Sequence, residues 1–267
     1  MLITIHHKLT VTLGPGIIRS VQHVLLTPQT GATQVVREWA IDMPGFAEAA
    51  SFIDGFGNRA QLVTQHRPEA ELLVSVSGVV DTVDRNGVIG KGVAGEPPPA
   101  LYRRPSPLAK AAGAITSKFR SGPKDGQGRI AMLHDLMARV GEVVGGTQSQ
   151  SQSQDGASQS QSQGEAAKVP AADFAHAFIG AARGLEIPAR YVTGYVAEHG
   201  EEAFWHAWVE AWDDGLGWIA FDPALGYCPT DKHVRVAAGL DAGSTPPVRS
   251  VPVGAAAIAE VRVDAAQ

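Results

Sequence analysis

Between Ala172 and Phe221 the hydrophobic period of the chain switches once, and that switch narrows the folds open to it. Ala172 to Leu185 (ADFAHAFIGAARGL) consists of good helix formers, with Phe174, Ala177, Phe178 and Ala181 forming an apolar stripe. Gly184 near its end suits a C-terminal cap. Three strand-like runs follow: Ala189 to Tyr195, Ala203 to Trp212, and Trp218 to Phe221. A helix followed by antiparallel strands packs as a buried helix against a sheet, an α+β core.

Upstream, the first ninety or so residues read as strands and turns. Ile3 to Val11 alternates in the manner of a strand, Val21 to Leu26 is a short apolar run, and Leu72 to Val80 is a further strand. Asp54-Gly55-Phe56-Gly57-Asn58 is a turn, because Gly and Asn accept positive φ. An antiparallel sheet or small sandwich is expected. The connector Gly95-Glu96-Pro97-Pro98-Pro99 discourages helix and sheet alike. Helical patterns then cover Leu108 to Phe119 and Gly128 to Val144, the second with Ile130, Leu133, Leu136, Met137 and Val140 on one face. Gly145 to Glu165 (GGTQSQSQSQDGASQSQSQGE) has no large apolar residue to bury and cannot offset its ordering entropy. It is expected to be disordered, a flexible linker first and a Ser/Gln interaction or phosphorylation segment second. The expected organisation is a β-rich, sandwich-like region over 1–95, a linker and helices over 96–144, the Ser/Gln insert over 145–165, and the core with C-terminal strands over 166–267.

Composition removes several classes of function. A formal charge of −5 with no Lys/Arg cluster argues against a nucleic-acid or anionic-membrane surface. No stretch approaches the ~20 apolar residues of a membrane span. The N-terminus MLITIHHKLTVTL lacks the basic start and continuous apolar run of a signal peptide. A single cysteine, Cys228, allows no intrachain disulfide and no cysteine zinc cluster. A reducing, cytoplasmic setting is the expectation.

Three blocks, AADFAHAFIGAARGLEIPARYVTGYV, FWHAWVEAW and GWIAFDPALG, resemble the successive catalytic blocks of bacterial transglutaminase-like cysteine peptidases and amidohydrolases. CPTDKHVRVAAGLD and PPVRSVPVGAAAIAEVRV resemble that family's C-terminal tail, and the strand-rich start with its DGFGN turn resembles the N-terminal region that often precedes the catalytic domain. The resemblance implies a papain-like transglutaminase core that works through a Cys-His-Asp arrangement. A thiolate attacks a carboxamide carbon, a histidine moves the proton, and a carboxylate holds that histidine in its useful tautomer. Carried onto this chain, the histidine is His206 and the carboxylate Asp222, each with a bland alternative: a structural imidazole, and an Asp-Pro turn. Ile187-Pro188-Ala189-Arg190-Tyr191 resembles the family's helix-to-strand connector, with Arg190 open to a carboxylate and Tyr191 at the cleft border.

The family cysteine maps to Ala171, which has no nucleophilic atom. Family members carry a Gly-x-Cys-Gln/Trp-Asp type of sequence, whereas this chain reads Val169-Pro170-Ala171-Ala172-Asp173. Several positions depart together, which favours natural loss over a single engineered change. Cys228 lies in a loop before Pro229 with no adjacent cation to stabilise a thiolate, so a plain structural or reactive surface thiol is expected rather than a nucleophile. Asp173 is expected to cap the helix start, and Asp173, His176, Tyr191, Trp205 and Trp208 are the residues that could border a cleft, although aromatic crowding also simply fills cores. No metal spacing is diagnostic, and no cofactor is expected. The function implied is a catalytically impaired homologue keeping a cleft for a peptide or protein carboxamide. An active cysteine peptidase, amidase or transglutaminase with its nucleophile mutated or misassigned is the first alternative. A structural subunit is the second.

Overall fold

The computed structural model describes residues 1–92, 95–122, 126–151, 169–197 and 204–266. Six strands open the chain: β1 (Leu2–Thr12), β2 (Arg19–Thr27), β3 (Gln34–Asp42), β4 (Ala50–Ile53), β5 (Arg59–His66) and β6 (Glu71–Thr82). A short β7 (Val88–Gly90) follows, then helices α1 (Gly113–Thr116), α2 (Gly126–Ser151) and α3 (Ala171–Gly184). The chain closes with β8 (Ala189–Val196), β9 (Phe204–Asp213), β10 (Gly217–Phe221), β11 (His233–Gly239), β12 (Val248–Val251) and β13 (Ala255–Ala266).

The period of two in β1 dictates its placement. Ile3, Ile5, His7, Leu9 and Val11 are buried, while Leu2, His6, Lys8 and Thr12 face out. The N-terminal strands build two antiparallel four-stranded sheets, ordered β13-β1-β6-β3 and β12-β2-β5-β4. Leu9, Val11, Val24, Leu26, Val63, Val74 and Val248 from both sheets share one apolar core. This is a β-sandwich. One edge strand of each sheet, β13 and β12, comes from the far end of the chain, from the 166–267 stretch expected to accompany the core.

The second sheet layer is ordered β11-β8-β9-β10-β7. Here the N-terminal region contributes in return, since β7 pairs with β10 through Val88 and Gly90. The helices cover one face, with Leu133, Leu136, Val140, Phe178, Ile179, Val209 and Phe221 in a common cluster. The result is the α+β arrangement expected from sequence. Gly180 in α3 lets the helix press on the 110–111 backbone, because a Cβ there would lie 2.3 Å from the Lys110 carbonyl oxygen.

Two amide side chains fasten the sandwich to the edge of the core sheet. Gln34 donates to the Arg235 carbonyl at 2.9 Å and accepts the Arg235 N–H at 2.8 Å. Asn58, from the DGFGN turn, donates to the Ala238 carbonyl at 2.8 Å and accepts its N–H at 2.7 Å. Each amide substitutes for part of a neighbouring strand, satisfying β11 groups that an edge would leave open. The turn itself forms as expected, with the Asp54 carboxylate accepting from Phe56 and Asn58 N–H groups and Gly57 at φ 85°.

Three local expectations change. The helix expected over Leu108 to Phe119 shrinks to α1 and one 3₁₀ turn, Ser117–Phe119. Pro105 and Pro107 lie just before that stretch, and the Lys110–Ala111 backbone is taken up by contact with Gly180. The chain leaves α3 through a left-handed Glu186 at φ 63°, two residues beyond Gly184. α2 runs on to Ser151, into the Ser/Gln tract, and the rest of the disorder expected over 145–165 lies outside the described residues.

Candidate functional site

α3 starts at Ala171, directly after Pro170, whose extended backbone (φ −58°, ψ 139°) stops the helix from growing backwards. Pro170 supplies no side-chain cap. The Asp173 N–H donates to the Pro170 carbonyl at 2.9 Å. Asp173 is thus not the cap expected from sequence. It lies in the first turn, where its charge complements the helix dipole.

His206 reaches the same place from β9, where it pairs in register with Gly194 of β8. Ala171 and His206 line one cavity of about 390 Å³, together with Pro170, Phe174, Phe204 and Trp205 among others. Its wall is mostly apolar, and the imidazole is the polar feature between the helix start and the aromatic rings. Phe204 meets His206 edge to face at 5.2 Å.

Asp222 directly follows β10, between Phe221 and Pro223, and is fully buried. Its Oδ1 accepts the N–H groups of Ala224 at 3.1 Å and Leu225 at 3.0 Å, an Asx turn that fixes the carboxylate plane. Its Oδ2 accepts from His206 Nε2 at 2.7 Å. A second imidazole shares that oxygen: His233 Nε2 lies 3.4 Å away, and His233 Nδ1 accepts the Thr230 N–H at 3.3 Å. With Nδ1 occupied as an acceptor, His233 carries its proton on Nε2 and donates to Asp222. Burial pushes the Asp222 carboxyl upward, but the hydrogen bonds from His206 and His233 outweigh it and hold the group below the usual carboxylate range. By the same logic His206 presents its Nδ1 lone pair away from Asp222, the form a general base needs.

The structure therefore brings together Ala171, His206 and Asp222, and adds His233. Nothing local marked His233, because its role depends on the antiparallel register of β11 with β8, in which His233 faces Val196. Of the five residues expected to border a cleft, Trp205 lines the cavity. The other four do not. Trp208 is buried behind His206, its ring stacked 6.4 Å from the imidazole and edge-on to His233 at 5.4 Å. His176 stacks on buried Tyr191 at 5.1 Å, and its Nε2 accepts the Ala242 N–H at 3.1 Å. Burial lowers the His176 pKa and raises that of Tyr191, which fits packing roles for both. Asp173 stays exposed on the first turn of α3.

Cys228 does not enter the cavity. It packs beside Gly87, where an added Cβ would sit 3.0 Å from the Cys228 Cβ, and burial with the neighbouring Asp84 charge pushes its thiol up to about 11. A nucleophilic thiol needs the opposite shift. Among the described residues, no three or more His, Cys, Asp or Glu side chains group closely enough to hold a metal ion.

Beyond the dyad, on the sheet face away from the helices, Arg190 lies fully buried between two carboxylates. Its Nη1 donates to Glu96 at 3.0 Å and its Nε to Glu210, while Arg235 donates to the other oxygen of Glu210 at 2.8 Å. The guanidinium lies 4.0 Å from the Trp218 ring centroid, a cation–π contact. Burial opposes the Arg190 charge, and the two carboxylates more than restore it. The carboxylate partner expected for Arg190 is thus Glu210, its cross-strand neighbour, with Glu96 beside it.

A helix-covered antiparallel sheet with a histidine–aspartate pair facing a helix start defines a transglutaminase-like core. A model of the transglutaminase-like superfamily core matches residues 114–223, and a model of the bacterial transglutaminase-like N-terminal region matches residues 3–81, so the chain carries a transglutaminase-like core and that N-terminal region. The crystal structure of a candidate cysteine protease from Cytophaga hutchinsonii superposes with a TM-score of 0.66 at 19% identity, covering 99% of this chain and 89% of that one, a likeness of fold. The periplasmic domain of TgpA from Pseudomonas aeruginosa aligns over 82% of this chain and 76% of its own, with a TM-score of 0.32 and 16% identity. An uncharacterized protein of Mycobacterium leprae is 31% identical over 86 residues, a stretch spanning 30% of this chain and 30% of that protein.

Proposed function

We propose that this chain is a catalytically impaired transglutaminase-like protein that binds a peptide or protein carboxamide in the cavity between α3 and β9 without turning it over. One observation carries the reading: the side chain that starts α3 opposite the His206–Asp222 pair is the methyl group of Ala171. In the family chemistry a thiolate belongs there. Loss of the nucleophile from a catalytic triad costs on the order of 10⁶-fold in kcat, or roughly 8 kcal/mol of barrier. Cys228 offers no replacement, since it lies off the cavity with a raised thiol pKa. The mostly apolar wall built from Phe174, Phe204 and Trp205 supports retention of a ligand, because such surfaces bind extended peptides and cost little to keep dry.

The test compares the unmodified chain with Ala171→Cys. A panel of peptide and glutamine amides is assayed for ammonia or amine release, with a thiol-directed probe run alongside. The unmodified chain is expected to be inert yet to shift the fluorescence of bound peptides. The variant is expected to label rapidly at position 171 and to gain measurable amide turnover. Turnover by the unmodified chain would overturn the reading, and absence of peptide binding in both forms would leave a structural subunit in its place.

A further inference from the structure

A second cavity, of about 540 Å³, lies at the opposite end of the α2–α3 pair, and its walls gather Arg103, Arg120 and Arg129. We propose that it binds a small organic anion, a phosphate or carboxylate group carried on an apolar body. This rests on different residues from the function proposed above and stands independently of it. The two cavities are separated by roughly 24 Å along α2, from Arg129 to Gly145 at 1.5 Å per residue.

Arg129 is the central observation. Its side chain is only 10% exposed, yet among the described residues its one ion pair is a 3.5 Å contact from Nη1 to Asp214, whose own side chain is 80% exposed. Its Nε is buried with no hydrogen-bond partner among the described residues. An under-satisfied buried guanidinium is costly, and an oxyanion bound in the cavity would offset its charge and accept from its Nη donors. The placement sharpens the point. Arg129 lies in the first turn of a 26-residue helix that has no acidic residue in that turn. The dipole already makes a helix start positive, so a cation there adds to a field that calls for an anion.

The remaining wall fits the same ligand. Arg103 and Arg120 are exposed and add two further donors, whereas Glu186 is the sole acidic lining residue among those described. Phe119 and Met132 give an apolar floor. The volume falls in the range of about 300–1,000 Å³ usual for small-molecule sites. In a chain of formal charge −5 the cavity gathers three arginines.

Isothermal titration calorimetry on the full chain, at fixed ionic strength to hold screening constant, decides the matter with phenyl phosphate, benzoate and inorganic phosphate as probes. One saturable site is expected for phenyl phosphate or benzoate, and whichever binds tighter assigns the phosphate or the carboxylate source. Arg129→Gln should weaken binding at least tenfold and Arg120→Gln several-fold. Arg37→Gln, on the sandwich surface, should change nothing. Should Arg129→Gln fail to fold, the double variant Arg103→Gln/Arg120→Gln is expected to show a tenfold loss. No binding of any probe at millimolar concentration, or isotherms that the cavity variants leave unchanged, would overturn the proposal.

Discussion

His7 shows how a single residue can govern the acid response of this molecule. It is buried on β1 between the sandwich and the core sheet, hydrogen-bonded through Nδ1 to the Tyr195 hydroxyl at 2.9 Å, with Trp205 of the cavity wall 5.6 Å from its ring. Burial lowers its pKa from 6.5 to about 4. The unfolded chain therefore binds a proton that the folded chain refuses between those two values. The contribution of this residue is complete above pH 6.5 and is lost as the pH drops towards 4, a change of about 3 kcal/mol. Asp222, held low by its histidines, acts in the same direction further down, since its contribution is present above the ordinary carboxylate pKa and is lost on acidification. Urea midpoints recorded from pH 7 to pH 4.5 should fall steeply, and His7→Phe should flatten the slope. An unchanged slope in that variant would assign the acid sensitivity elsewhere. The residues of the site differ in how openly the sequence displayed them. His206 and Asp222 sit inside motif blocks, and Ala171 stands out by its missing sulfur. His233 and the location of Cys228 follow from how strands align in space, for which no neighbouring residue gives a signal.

At the scale of elements, hydrophobic period was a good guide wherever packing and propensity agree. β1, β2, β6, β8, β10 and most of α2 and α3 stand where alternation or an apolar stripe puts them. Leu108 to Phe119 failed because tertiary contact competes there with helix formation: the 110–111 backbone is claimed by Gly180. That contact gives a prediction with an unusual sign. Replacing a helical glycine by alanine ordinarily stabilises by about 1 kcal/mol. Gly180→Ala should instead destabilise by about 2–3 kcal/mol, because the new methyl meets backbone atoms at 2.3 and 2.5 Å and cannot be accommodated by a rotamer change. Chemical denaturation of the variant checks it, and a stabilised protein would show that the helix and the 110–111 segment separate easily.

For the whole molecule, the two regions suggested by the sequence are interleaved. β12 and β13 complete the sandwich sheets, β7 joins the core sheet, and Gln34 and Asn58 bind β11. Period and motif identify each strand but carry no information on partners some 250 residues away, as in the pairing of Leu2 with Ala266. A single cooperative unfolding transition is expected for the full chain, with fluorescence of the five tryptophans and far-ultraviolet dichroism coinciding. Residues 1–95 and residues 166–267 expressed separately should each fail to fold, since each would expose a long open sheet edge. Two resolved transitions would argue that the shared strands contribute little.

Gly145 of α2 and Val169, just ahead of α3, line the same cavity. Severing the backbone inside the Ser/Gln tract would release nothing: β1 would still grip β13, β2 would still grip β12, and α2 would still lie along α3. A nicked preparation would migrate as two bands in detergent and as one particle in native buffer. The two pieces, made apart and mixed, are expected to reassemble around the cavity whose lining they share.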